Sequence, residues 1–231
     1  MRGRLIGMAM MTSMLAGCGS EPAPAPSPTP TDMADATLPS ITGPERHILA
    51  FGDSLFAGYG LADGESYPAR LEVALRARGI NARVSNAGVS GDTTQAGLQR
   101  LDFVLANEAQ VPDLAIVELG GNDLLRQLPP AQTRANLQAI LDKLDARGIP
   151  VLLMGLRAPP NLGAEYVAAF DAIYPDLARE HEAALVPFFL ESVYNRPALV
   201  QPDRVHPTAE GIETMVAATV EAVAAAVPEG E

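Results

Sequence analysis

The sequence is most informative first in what it has little of. Among 231 residues there is one cysteine, Cys18, so no internal disulfide can form and the Cys clusters of structural zinc sites are out of reach. Basic residues are scarce: 16 Lys and Arg stand against 28 Asp and Glu, a formal net charge of −12, with no basic surplus to displace counterions from nucleic-acid phosphates. Aromatic residues make up 5% of the chain and tryptophan is absent, which counts against a platform for stacking sugars. Beyond the N-terminus no charge-free apolar run reaches the roughly 18 residues a membrane-spanning helix needs. What is present is 48% hydrophobic and 19% charged residues, the composition of a chain that buries a real core, at a length that suits one domain.

The N-terminus stands apart from the rest. Met1-Arg2-Gly3-Arg4 is followed by an apolar stretch from Leu5 to Leu15, interrupted only by Gly7, Thr12 and Ser13. A basic start and a short apolar segment outline a signal peptide over residues 1–17. Leu15-Ala16-Gly17-Cys18 resembles the bacterial lipobox, which implies a lipid-modified Cys18 as the new N-terminus. The expectation is export, with a lipid anchor in the bacterial cell envelope facing the periplasm. Residues 18–44 then read as a tether, with proline at alternate positions from Pro22 to Pro30 favouring extended polyproline geometry. The folded domain is expected over 45–231.

Within that domain two periods alternate. The apolar runs His47 to Phe51, Asp113 to Leu119 and Val151 to Met154 read as buried strands, with Ala82 to Ala87 and Ala184 to Pro187 as weaker ones. Between them, Leu137, Ile140, Leu141 and Leu144 fall on one helical face, and Leu98, Leu101, Val104 and Leu105 nearly so. Gly79 and Gly148 stand where helices should end. A last helix is expected from about Thr208 to Ala226, with Ile212, Met215, Val216, Val220 and Val223 on one face. The order predicts an α/β protein, a three-layer α/β/α sandwich around a five-stranded parallel sheet.

Ligands of such a sheet bind beyond the carboxyl ends of its strands, so the residues following each strand matter most. They are Gly52-Asp53-Ser54-Leu55, then Asn86-Ala87-Gly88-Val89-Ser90-Gly91-Asp92, then Gly120-Gly121-Asn122-Asp123; Asp203-Arg204-Val205-His206-Pro207 precedes the last helix. A serine hydroxyl is a poor nucleophile near neutral pH and needs a base within reach, itself oriented by a third group. Ser54, His206 and Asp203 supply the three types. An acyl-transfer intermediate also needs donors aimed at its oxyanion, for which the N–H groups of Ser54 and Gly91 and the Asn122 amide are the candidates. His47, at the start of the first strand and opposite in direction to Ser54, and His181, in a polar helical stretch, read as surface residues. Asp53 and Asp123 are expected to hold loops by hydrogen bonding; Glu118 has no evident role. Zinc usually takes at least two His or Cys ligands and only His206 is available, so no metal is expected. The glycine-rich segments lack P-loop and dinucleotide fingerprints, so no cofactor is expected either.

The four blocks, in this order, resemble the SGNH (GDSL) hydrolase family over nearly all of the chain from Ile48 to the final helix. The resemblance implies a flavodoxin-like SGNH hydrolase fold, a catalytic Ser54, Asp203 and His206, and an oxyanion hole from Ser54, Gly91 and Asn122. In finer detail Ala57-Gly58-Tyr59, Ser90-Gly91-Asp92-Thr93-Thr94, Val117 to Asp123 and Ala172-Ile173-Tyr174-Pro175 resemble the bacterial thioesterase I/lysophospholipase L1/arylesterase group. That implies a serine esterase acting on aryl esters, short or medium acyl esters, thioesters and lysophospholipids. Its acyl groove would be lined by Leu124, Leu125, Leu128, Pro129, Pro130, Leu156, Ala158, Pro159 and Pro160. The alternative is a cell-envelope carbohydrate acetylesterase with the same catalytic residues. The partners expected are a small-molecule or lipid ester and a membrane through the anchor, not nucleic acid, with the chain a monomer because no heptad pattern is present.

Overall fold

The computed structural model describes residue 41 and residues 43–228; the expected signal peptide, Cys18 and nearly all of the tether lie outside the described residues. Five strands, β1 (Arg46–Gly52), β2 (Ala82–Gly88), β3 (Leu114–Glu118), β4 (Val151–Met154) and β5 (Ala184–Val186), form one sheet in the order β2-β1-β3-β4-β5. All four pairings are parallel. The expected α/β sandwich with a five-stranded parallel sheet is therefore what the chain adopts.

Helices cover both faces. β1, β3 and β4 read as unbroken apolar runs because residues pointing either way are buried. On one face Ile48, Ala50, Ile116, Leu152 and Met154 pack with Leu71 and Leu75 of α2 (Tyr67–Ala77) and with α8 (Ala209–Ala226). On the other, Leu49, Phe51, Ala115, Val117 and Leu153 meet α3 (Thr94–Asn107), α5 (Pro130–Asp145) and α7 (Ile173–Glu180). Short helices α1 (Ser54–Ala57), α4 (Gly121–Leu125) and α6 (Ala164–Asp171) complete the set. Strands β2 and β5 gave weaker signals because they are the edges, half exposed along their length.

Local signals landed close to their elements. All five residues expected on the inner face of the last helix are buried, and the Thr208 hydroxyl caps it by accepting from the Gly211 N–H at 3.1 Å. Gly79, at φ +84°, directly follows the α2 cap residue Arg78, whereas Gly148, at φ +67°, comes two residues after the α5 cap residue Ala146. Among the described residues no helix is long and apolar enough to cross a membrane.

The strand order locates the site. From β1 the chain steps outward to β2, then crosses back over β1 to β3, so the crevice at the switch point opens between the carboxyl ends of β1 and β3. Those ends carry the Gly52-Asp53-Ser54 and Gly120-Gly121-Asn122 blocks.

Candidate active site

Ser54 is placed by a tight turn. Asp53 caps α1, its Oδ1 accepting the Leu55 N–H at 3.0 Å, and the helix stops after one turn at Gly58, whose φ is +80°. The end of β2 presses against this turn: a Cβ on Gly88 would lie 2.4 Å from the Ala57 nitrogen, so only glycine fits. Ser54 thus heads a one-turn helix at the end of β1 with its hydroxyl toward the crevice.

The loop before α8 closes over it. Gln201 N–H donates to the His206 carbonyl at 2.7 Å, Arg204 N–H donates to the Gln201 carbonyl at 2.9 Å, and Val200 bridges Pro207. The Gln201 amide nitrogen also donates to the carbonyls of Tyr59 and Pro207, each at 2.8 Å, tying this loop to the segment that leaves α1. His206 Nε2 lies 2.9 Å from Ser54 Oγ, and His206 Nδ1 lies 2.7 Å from Asp203 Oδ2. Asp203 Oδ1 accepts the N–H groups of Val205 at 2.9 Å and His206 at 3.0 Å. The hydrogen bond from the His206 ring, followed by those two N–H donors, lowers the Asp203 carboxyl to about 2. An ionised carboxylate only accepts, so Nδ1 carries the hydrogen and Nε2 is left to accept from the serine hydroxyl. The Tyr59 ring lies against the imidazole, with centroids 4.4 Å apart.

Two backbone donors stand open beside Ser54. The N–H groups of Ser54 and Gly91 have no acceptor among the described residues, and Gly91 adopts φ +87° in the loop before α3. That loop is held from outside: Arg126 donates to the Gly91 carbonyl at 2.9 Å, and Arg100 pairs with Asp92 and donates to the Gly52 carbonyl at 2.9 Å. Asn122 lies in the first turn of α4, where Gly120 is the cap. Its amide donates to Asp53 Oδ2 at 3.0 Å and to the Asp92 carbonyl at 2.9 Å. Both of its hydrogens are thus engaged, and donation to an oxyanion requires one of them to be shared.

Asp53 and Asp123 do hold loops. Asp123 is fully buried and accepts the Thr94 N–H at 2.8 Å at the start of α3, besides the hydroxyls of Thr94 and Thr133. Of the two histidines expected at the surface, His47 is buried and His181 is half-buried. His47 is 5% exposed within β1, its N–H donating to Asp113 at 2.6 Å and its ring 3.8 Å from Glu108. His181, at the end of α7, keeps 9% of its side chain exposed and hydrogen-bonds Asp145 at 2.6 Å. Neither stands at the carboxyl edge of the sheet near Ser54.

Ser54 opens into a cavity of about 790 Å³. Leu124, Leu125, Leu156, Ala158, Pro159 and Pro160 line it as expected, whereas Leu128, Pro129 and Pro130 do not. Pro130 borders a separate shallow hollow, and the Leu128 carbonyl accepts the Tyr166 hydroxyl at 2.9 Å. The sequence reading missed another wall, made by Val167, Phe188, Leu190 and Tyr194, and the rim residues Tyr59 and Val205. Phe188 and Leu190 follow the carboxyl end of β5, the position from which a parallel sheet presents residues to its ligand, but the edge strand itself is faint in the sequence. Among the described residues no three His, Cys, Asp or Glu side chains are grouped to hold a metal ion.

Gly120 shows how little space lies behind the site. A Cβ there would fall 2.3 Å from the buried Tyr174 hydroxyl, at φ +118°. Gly148 also has positive φ but meets nothing within 4 Å. Gly120→Ala should therefore cost about 3 kcal/mol or more through clash plus strain, and Gly148→Ala only about 1 kcal/mol, measured by urea denaturation.

A hydroxyl, an imidazole and a carboxylate in series, beside open N–H donors at the carboxyl edge of a doubly wound sheet, define a serine hydrolase of the α/β class. The model of the GDSL-like Lipase/Acylhydrolase family matches residues 50–213, and the chain belongs to that family. Over 160 residues it is 44% identical to Esterase TesA of Pseudomonas aeruginosa, a match covering 69% of this chain and 79% of that protein. It is equally 44% identical over 160 residues to the thioesterase 1/protease 1/lysophospholipase L1 of Escherichia coli, covering 69% of this chain and 74% of that one. Among solved structures, AlinE4, described as an SGNH-hydrolase family esterase, is 66% identical with a TM-score of 0.69, covering 81% of this chain and 100% of its own. The chain is an SGNH serine esterase, as the motifs implied.

Proposed function

We propose that this esterase works through an acyl-enzyme on Ser54 and takes esters and thioesters of short to medium acyl chains, lysophospholipids among them. His206 Nε2 takes the Ser54 proton as Oγ attacks the ester carbonyl, and Asp203 stabilises the resulting imidazolium. The N–H groups of Ser54 and Gly91, joined by the Asn122 amide, receive the oxyanion. His206 then gives its proton to the departing alcohol or thiol. Water repeats the sequence on the acyl-enzyme and frees the acid.

The observation that carries this reading is the Ser54–His206–Asp203 series, at 2.9 and 2.7 Å, opening into the apolar cavity of about 790 Å³. Leu124, Leu125, Leu156, Val167 and Phe188 suit an alkyl chain better than a sugar. Arg157 and Arg204 border the same cavity without an ion-pair partner among the described residues, but Asp53, Asp171 and Glu191 border it too, so the lining sets no net preference for an anionic leaving group. The test is initial rates on p-nitrophenyl acetate, butyrate, octanoate and palmitate. A maximum at butyrate or octanoate is expected; activity on acetate alone would favour the carbohydrate acetylesterase.

The chain is further proposed to be exported and lipid-anchored through Cys18 in the cell envelope, facing the periplasm, as a monomer. The support is the Leu15 to Cys18 motif, and a net charge of −12 makes the lipid, rather than attraction to anionic headgroups, the membrane contact. Cys18→Ser should release the enzyme from the membrane fraction with its esterase rate unchanged. Retention of the variant on membranes would refute the anchor.

A further inference from the structure

Glu118 is a buried carboxyl group that the acyl-transfer steps do not use. It ends β3 beside Gly52 in the sheet register and has no exposed surface. It is packed so tightly that a Cβ on Gly52 would lie 2.8 Å from the Glu118 carbonyl oxygen and 3.0 Å from Oε2. Its only backbone donor is the Asp53 N–H, 3.3 Å from Oε2, and Oε1 has no hydrogen-bond partner among the described residues. The Asp53 side chain is its neighbour in the same dry space, only 2% exposed.

Two neighbouring carboxyl groups in so dry a place share a proton, because two adjacent anions there would repel at short range with little water to screen them. The donors decide which group keeps it. Asp53 receives the Leu55 N–H on Oδ1 and the Asn122 amide on Oδ2, both at 3.0 Å, which stabilises it as the anion. Glu118 has one long N–H contact and an orphaned oxygen, which stabilises nothing ionised. The other charged or titratable neighbours do not alter this balance. Tyr174 is spent on the Leu119 carbonyl and Asp123 on Thr94, Arg100 is spent on Asp92 and the Gly52 carbonyl, and a positive charge on His206 would favour the Asp53 anion further. Burial, and next the Asp53 charge, push the Glu118 carboxyl well above the usual range, in the same direction as the hydrogen-bond pattern.

We propose that Glu118 is a neutral, protonated acid that donates a hydrogen bond to the Asp53 carboxylate and through it positions both the Asn122 amide and the Ser54 turn. Glu118 touches no substrate and is a positioning residue. Asp53 is the hub: one oxygen caps the helix that Ser54 heads, and the other holds the amide proposed above to meet the oxyanion. The inference rests on that reading for its catalytic consequence, but not for the proton.

The site asks for one acceptor, toward the Asp53 N–H, and one donor, toward the Asp53 carboxylate. A protonated acid offers both, and so does a primary amide; an ionised carboxylate offers only acceptors. Glu118→Gln should therefore keep kcat within about threefold of the parent, whereas Glu118→Ala should lose about tenfold or more in kcat with KM changed less than about threefold. The proton itself is read by infrared difference spectroscopy at neutral pH. The parent minus Glu118→Gln spectrum should contain the carbonyl stretch of a protonated carboxylic acid. A missing acid band overturns the proposal, as does a Gln variant that falls as far as the Ala variant. If Glu118→Ala does not fold, the Gln variant and the band decide. If the parent hydrolyses no ester, the proposed function fails on its own and the band alone decides the proton.

Discussion

Ser54→Ala is expected to lower the hydrolysis of p-nitrophenyl butyrate by about 10⁴-fold or more in kcat, with thermal stability almost unchanged. The loss corresponds to about 5.5 kcal/mol of transition-state stabilisation. It should be that large because the hydroxyl is the atom that attacks, and no other nucleophile in the site hydrogen-bonds His206 Nε2. The remaining rate should stay above the uncatalysed one because the substitution leaves the N–H groups of residues 54 and 91 where they are. The fold should tolerate it, since the serine side chain makes only the bond to His206 and alanine suits the first position of a helix. Circular dichroism and a melting curve beside the rate measurement separate chemistry from unfolding. Substantial remaining activity would remove Ser54 from the mechanism.

Asp203→Asn should cost about as much, about 10⁴-fold at neutral pH, by a different route. Asp203 Oδ1 accepts two backbone N–H groups, so the amide oxygen of asparagine will keep that place and turn its NH₂ toward His206 Nδ1. The imidazole must then accept at Nδ1 and carry its hydrogen on Nε2, the tautomer that cannot take the serine proton. KM should change little, because the side chain does not hold the acyl group. The pH dependence follows from the lowered Asp203 carboxyl. Its folded value of about 2 lies below the unfolded value near 3.9, so its contribution to stability is complete above about pH 4 and is lost as pH falls toward 2. Any loss of rate on the acid side above about pH 4 therefore does not come from protonation of Asp203. Melting curves from about pH 5 down to pH 2 should show the parent losing a stabilisation that the Asn variant never had. A variant that melts with the parent's acid dependence would refute the assignment.

Much of the fold was legible because burial on both faces writes itself into sequence as unbroken apolar runs. β1, β3 and β4 were readable for that reason, and the edge strands β2 and β5 were fainter because half their residues meet solvent. The same logic explains the errors. His47 is polar and opens a strand, so it reads as exposed; only the packing of β1 against its neighbours leaves it 5% accessible. Glu118 sits at the end of an apolar run, and nothing local reveals that its carboxyl accepts the N–H of Asp53, 65 residues earlier. Leu128, Pro129 and Pro130 have the same apolar character as Leu124 and Leu125, yet only the latter two border the cavity.

By itself the sequence determined the elements, the class of sheet and the four blocks that stand beyond its strands, because periodicity, caps and turn residues act over a few positions. It also determined which chemical groups were available: one serine in a tight turn, one histidine three residues after an aspartate, glycines and an amide in between. Only the tertiary structure decided that Ser54 and His206, 152 residues apart, lie 2.9 Å from each other. It also decided that Asn122 is already engaged by Asp53 and that Phe188 and Tyr194 help wall the cavity. Those facts depend on the strand order and on loops folding back across it, and the free energy that selects such contacts comes from the whole buried core rather than from the residues that meet.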